Sequence, residues 1–274
     1  MVSVLVSHYE RPGHLFRCLD ALELNRDWFD EVVITDDGSK PEIVDTVKAG
    51  LGRYSFPVEY VWRPSDQFEL AATRNEGIRR AKGDYFIIMD CDFLMMPDAI
   101  KGHVESREKG RFVVATFNEL SEEDTEDLFT QDPLRPEYLE DLYVRQDLAR
   151  IRKINFRFKR RNLLIRLKLA GPRKHSVGSH ISIYREDLEK VNGYDENFVG
   201  WGGEDHDLGQ RLITAGVFGK PAFLKARLMH MWHPKELGDQ DWSAGRNVPY
   251  LNREVVPAWC ENGLVNETAK GGRG

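Results

Sequence analysis

Cysteine is scarce: 274 residues hold three, Cys18, Cys91 and Cys260, far apart and without Cys-x-x-Cys spacing. That excludes a disulfide framework and points to reduced thiols in a cytoplasmic setting. No apolar run approaches the length needed to span a bilayer. The opening Val2–Ser7 run is too short for a signal peptide and lacks its basic start. No Gly-x-Gly-x-x-Gly follows a predicted strand, which argues against a dinucleotide oxidoreductase. Positive charge is not in excess either: 39 Lys and Arg against 45 Asp and Glu give −6, so nucleic acid is not an expected partner. Internal repeats are missing. The expectation is a cytoplasmic protein that lies, at most, against the inner face of a membrane.

What is present is an alternation of strands and helices. Val2–Ser7, Glu31–Thr35, Val58–Trp62 and Tyr85–Met89 read as short apolar strands. The stretches 14–24 and 71–81 read as helices, the first with Leu15, Leu19 and Leu22 on one face, and a further helix runs through Ile43 and Val47. Such alternation predicts an α/β fold, a mostly parallel Rossmann-like sheet flanked by helices, with ligands beyond the carboxyl ends of the strands. Polar clusters stand at those ends: Ser7–Arg11, Asp36–Ser39 and Asp90–Asp92. The middle changes character. Ser121–Asp141 carries nine acids and one base, whereas Arg145–Lys174 carries twelve bases and one acid. It reads as a charged helical insertion, 119–175, between halves 1–118 and 176–250 of one domain, with a mobile tail over 251–274. Within the insertion Ile151, Ile154, Phe158, Ile165 and Leu169 recur at helical spacing among bases. Such a helix either inserts its apolar stripe into a membrane interface, giving a peripheral contact through 145–174, or packs on the core and pairs with the acidic segment.

The chemistry centres on Asp90-Cys91-Asp92, where an apolar strand ends in two carboxylates. Acids at the edge of a core need a cation, and a divalent metal suits carboxylate oxygen while also holding a diphosphate. In Thr35-Asp36-Asp37-Gly38-Ser39 a carboxylate can accept the imide N–H of uracil; the same residues also suit an Asx turn with a cap at Ser39. Arg74, at the start of a helix, can bond phosphate oxygens or pair with Asp90. Trp201-Gly202-Gly203-Glu204-Asp205 offers an apolar platform, two permissive glycines and two acids, which also fit a helix N-terminus. His230 and His233 stand three apart. Imidazole tilts a metal site toward Mn²⁺, with Mg²⁺ the other candidate.

Taken with Val4-Leu5-Val6-Ser7-His8-Tyr9-Glu10-Arg11 and Ala72-Thr73-Arg74-Asn75-Glu76-Gly77, these motifs resemble the GT-A glycosyltransferases of family 2, in that family's order. The bacterial chondroitin-polymerase-type and β4-galactosyltransferase-like enzymes are similar over roughly residues 2–118 and 176–236. The resemblance implies a metal-dependent transferase moving a hexosyl or N-acetylhexosaminyl group from a UDP-sugar, with inversion, to a glycan or lipid-linked glycan. It implies a donor site of Ser7, Tyr9, Arg11, Asp36 or Asp37, Arg74 and Asp90, with Asp90 reaching the ribose or a metal-bound water. Asp92 and His233, with His230, would hold the metal. Asp205, beside Glu204, would be the base, and Trp201, Gly202 and Gly203 would meet the acceptor. An acid at position 205 goes with inversion, because the retaining polypeptide GalNAc-transferases carry asparagine there. Two departures stand out: His8-Tyr9-Glu10 replaces the usual Thr-Tyr-Asn, and Ser179-His180 the common Gly-Asn. The rival readings are a sugar nucleotidyltransferase, which shares the metal–diphosphate logic, and a nucleotide-sugar-binding protein without turnover.

Overall fold

Strand β1 (Val2–His8) is buried at every position, as a strand covered on both faces must be. In this computed structural model, which describes residues 1–144, 148–171, 177–178, 180–234 and 245–266, it lies at the middle of a parallel group. It pairs in parallel with β2 (Glu31–Asp36) on one side and, on the other, with β4 (Tyr85–Asp90); β3 (Val58–Trp62) extends the sheet beyond β2. Helices α1 (Pro12–Glu23), α2 (Pro41–Gly50) and α3 (Leu70–Arg80) make the crossovers. The register puts His8 beside Asp36 and Ser7 beside Asp90, so three polar clusters converge at one sheet end.

Beyond β4 the topology changes. The short β5 (Phe93–Met95) leaves the main sheet and α4 (Ala99–Ser106) follows. Strands β6 (Arg111–Val114), β7 (Phe117–Glu119), β8 (Ile181–Tyr184), β9 (Phe218–Pro221) and β10 (Leu228–His230) complete two sheets. The larger runs β3-β2-β1-β4-β8-β6-β9, with β8 antiparallel to both neighbours; the smaller runs β5-β10-β7. Three helices, α5 (Glu122–Thr130), α6 (Pro136–Val144) and α7 (Leu148–Arg166), occupy the charged middle of the chain. Next come α8 (Arg185–Glu189), α9 (Glu204–Thr214) and α10 (Val248–Leu251). Among the described residues no helix is long and apolar enough to cross a membrane.

Three expectations change. The apolar stripe of α7 faces the protein: Ile151 and Ile165 are buried, and Phe158 packs edge-on against Phe223. Only Leu169, 72 % exposed, escapes it, so that stripe is not a membrane face. Of the preceding acids, Glu140 serves Arg227 and not α7, binding it through both carboxylate oxygens. The chain after 250 is docked as far as 266. Asn192 Nδ2 donates to the Cys260 and Val265 carbonyls, and Arg79 donates to the Gly263 carbonyl. The mobility expected of residues 267–274 falls outside the described residues, as does the Ser179 departure.

Candidate active site

The pairing of β5 with β10 builds the first half of the site. Phe93 lies opposite His230 in that ladder, and the Met231 N–H donates to the Asp92 carbonyl at 2.8 Å. His230 is thereby placed beside an aspartate far away in sequence. Trp232 is fixed from both sides, its N–H by the Thr125 hydroxyl and its carbonyl by His14 Nε2, which brings His233 around. His14 is a neighbour no motif revealed; its ring stands 6.1 Å from that of His233.

The result is a compact donor set: one ligand atom each from Asp92, His230 and His233, all within 4.8 Å of one another. The Nε2 atoms of His233 and His230 stand 3.3 and 3.6 Å from Asp92 Oδ2, and Arg11 Nη1 stands 3.7 Å from it. Asp92 Oδ1 is buried with no hydrogen-bond partner. Burial works to raise the Asp92 pKa, but the two imidazoles outweigh it and hold the carboxyl below its ordinary range. Asp92 in turn raises the His230 pKa against the opposing effect of burial. One hard oxygen ligand, two imidazoles and an orphaned carboxylate oxygen fit a divalent ion of the Mn²⁺ type.

The second half is organised by Arg74, whose side chain is 1 % exposed. Its Nη2 donates to both oxygens of Asp90 (3.0 and 3.1 Å), and its Nη1 donates to Asp205 Oδ1 (2.9 Å) and lies 3.6 Å from Glu204. Its guanidinium stands over the Tyr194 ring, centred 5.3 Å away. Of the two roles open to Arg74, the structure displays the ionic one. Burial raises the pKa of Asp205 well above its ordinary value and raises those of Asp90 and Glu204, in each case against the pull of Arg74. The two acids at 204 and 205 form the first turn of α9, so the helix dipole favours them as well.

Gly203 makes that entry possible. Its φ is +103°, and a Cβ there would come within 2.8 Å of the Phe198 ring. Asn247 Nδ2 holds the Gly202 carbonyl at 2.8 Å, while Trp201 remains 44 % exposed. Nothing in the sequence marks Asn247, because its partner is remote and its role is one backbone contact.

At the opposite edge, both motif aspartates are engaged. Asp36 accepts from His8 Nδ1 (2.7 Å), the Tyr60 hydroxyl and the Ser39 N–H. Those bonds hold its carboxyl below the ordinary range although burial opposes them. Asp37 accepts from Arg63, Thr73 and the Glu69 N–H, yet burial leaves its pKa raised. The turn at Asp36 is of the Asx kind, but the Ser39 hydroxyl accepts the Glu10 N–H instead of capping α2. The unusual His8 and Glu10 therefore tie the β1 and β2 ends together. Tyr9, 39 % exposed, stands at the mouth, and Ser7 is buried with its carbonyl bonded to the Cys91 N–H. His180 is also buried, with Nε2 2.7 Å from His103 Nε2.

A mostly parallel sheet with acids at its strand ends, a smaller sheet bearing the histidines and the glycine-acid entry to α9 define a GT-A fold. The chain belongs to glycosyl transferase family 2, whose model matches residues 3–191. A second model, the N-terminal domain of galactosyltransferase, matches residues 149–234. Chondroitin synthase of Escherichia coli is 26 % identical over 93 % of the chain, and hyaluronan synthase of Pasteurella multocida 25 % identical over 93 %. The chain spans only 38 % and 28 % of those two proteins. Among solved structures, GalNAc-T7 with UDP, GalNAc and Mn²⁺ shares the fold at a TM-score of 0.61 and 18 % identity, over 86 % of this chain and 44 % of that one. The Pyrobaculum calidifontis mannosyltransferase PcManGT, in complex with GDP-Man and Mn²⁺, does so at 0.56 and 18 %, over 86 % and 57 %.

Proposed function

We propose that the chain transfers a sugar from a UDP-sugar to a hydroxyl of a glycan, free or lipid-linked, with inversion at the anomeric carbon and Mn²⁺ at the Asp92, His230 and His233 cluster. One observation carries the reading. Asp92, with Oδ2 facing two imidazoles and Oδ1 buried without a partner, lies two residues past Asp90, the carboxylate that shares Arg74 with Asp205. Metal ligands and an acid raised by burial thus meet at one strand end. Family membership and the UDP and Mn²⁺ in the GalNAc-T7 structure of the same fold point the same way.

When bound, the ion supplies positive charge against the departing diphosphate. Arg11, already beside Asp92, is placed to add to it, and exposed Tyr9 to lie against the donor base. Asp205 takes the proton of the acceptor hydroxyl at Oδ2, since Oδ1 is held by Arg74. A carboxyl whose pKa burial has raised is the better base for that step. Arg74 orients it, Glu204 shares the same guanidinium, and the exposed Trp201 face receives the acceptor sugar between the turns of Gly202 and Gly203.

The test is UDP release from a panel of UDP-sugars with glycan acceptors, with Mn²⁺, with Mg²⁺ and after chelation, together with the product's anomeric configuration by NMR. Metal-dependent, acceptor-stimulated release with an inverted product is expected. Binding of UDP without turnover in any combination would leave a nucleotide-sugar-binding protein, and release of pyrophosphate from UTP and a sugar phosphate would indicate a nucleotidyltransferase.

A further inference from the structure

The apolar stripe that the sequence offered as a membrane face lies against the core, yet α7 carries a second apolar group that the pattern did not single out. Phe156 is 67 % exposed, Leu163 54 % and Leu164 36 %, and just past the helix Leu167 at 58 % joins Leu169 of the stripe at 72 %. Phe156 and Leu163 are seven positions apart and therefore share one side of the helix, opposite Ile151, Phe158 and Ile165. Around them Arg152, Lys153, Arg157, Lys159, Arg160, Arg166 and Lys168 are all exposed. The segment 148–171 contains no acid.

We propose that this outer face of α7 and the turn following it dock on a bilayer surface rich in anionic lipid. Several large apolar side chains exposed together on one segment imply a partner. The acid-free ring of bases selects a negatively charged one, and an array of long cationic side chains flanking apolar tips suits headgroups above acyl chains. The placement serves the site. At its N-terminal end Arg150 donates to the Phe117 carbonyl and to Asn118, on the strand that pairs with the His230 strand. The helix thus starts beside the strand that pairs with the His230 strand and packs along the edge strand β9. Docking would hold the acceptor-facing loop close to a glycan anchored in the same surface.

Sedimentation with vesicles tests this without any need for turnover, so its outcome is separate from that of the transferase reading. The protein should pellet with phosphatidylglycerol-containing vesicles, less with pure phosphatidylcholine, and less again at high salt, where exposed charges are screened. Each base near such a surface contributes about fivefold in partitioning, so Arg152→Gln with Lys153→Gln should weaken binding roughly 30-fold. Phe156→Ser with Leu163→Ser should weaken it on both vesicle types. As all four side chains are exposed, both variants should melt with the parent, which separates lost docking from lost fold. A parent that stays in the supernatant with every vesicle overturns the proposal. So does pelleting that neither variant diminishes. A salt-independent dimer in solution that Phe156→Ser with Leu163→Ser abolishes would assign the face to a second copy of the chain instead.

Discussion

Arg74→Met removes the cation shared by three carboxylates while retaining much of the side chain's volume. The Arg74 side chain is 1 % exposed, and its partners Asp90, Asp205 and Glu204 are 21, 16 and 9 % exposed. Breaking a buried ion pair by deleting one member costs about 3–5 kcal/mol, chiefly because the remaining charge is left uncompensated. For a chain of this size about 1 kcal/mol corresponds to roughly 2–4 °C in Tm, so a loss on the order of 10 °C is expected. The penalty should shrink as pH falls. Burial already raises the pKa of Asp205, and without Arg74 the folded carboxyls rise further above their unfolded values. The folded variant then binds more protons than the unfolded chain, so acid stabilises it relative to the parent. Adding Asp205→Asn should recover part of the loss, with a coupling of about 0.5–3 kcal/mol. Calorimetric melts between pH 5 and 8 would measure all three effects. An Arg74→Met variant melting within 2 °C of the parent, with no pH dependence of the difference, would refute the idea that the network is desolvated.

Asp92→Asn should abolish Mn²⁺-dependent UDP binding in titration calorimetry while the apo protein melts normally, and His233→Ala should weaken it about 10–100-fold; near-parent affinity in the first would remove Asp92 from the metal site. Asp205→Asn should lower the transfer rate on the order of 10²–10⁴ while leaving UDP–Mn²⁺ affinity within about twofold, and a variant with full turnover would exclude it as the base. Gly203→Ala must adopt a φ of +103° and displace the Phe198 ring, at a cost of about 1–3 kcal/mol, with transfer falling more than donor binding; an unchanged melting temperature would mean that the loop relaxes freely.

The sequence determined the N-terminal half closely, because its strands are short, mainly apolar runs ended by polar residues. Tyr85–Met89 was legible in this way, and so was the pair of acids behind it: once the order of strands is known, Asp36 and Asp90 must gather at one sheet end. The family resemblance also singled out Asp92, His230 and His233, which the fold brings within 4.8 Å of one another. Which partner each side chain takes was a different matter. The β5–β10 ladder that sets His230 beside Asp92 joins three-residue strands too short to show a period, and only the closed sheet creates the pairing. Arg74 had two compatible outlets in the sequence, phosphate and carboxylate; three acids brought around one buried guanidinium supply the second in the structure. The outcome for α7 was decided in the same way. Periodicity finds a helix with apolar residues on one side, but it is blind to what that side meets. The edge strand β9 supplies the cover through Gly219, where a side chain would strike Phe158. With that face taken, the bases and the exposed Phe156 and Leu163 become the surface. A one-dimensional pattern fixes which residues share a face, whereas burial is a property of two faces in contact, and only the fold brings the second one.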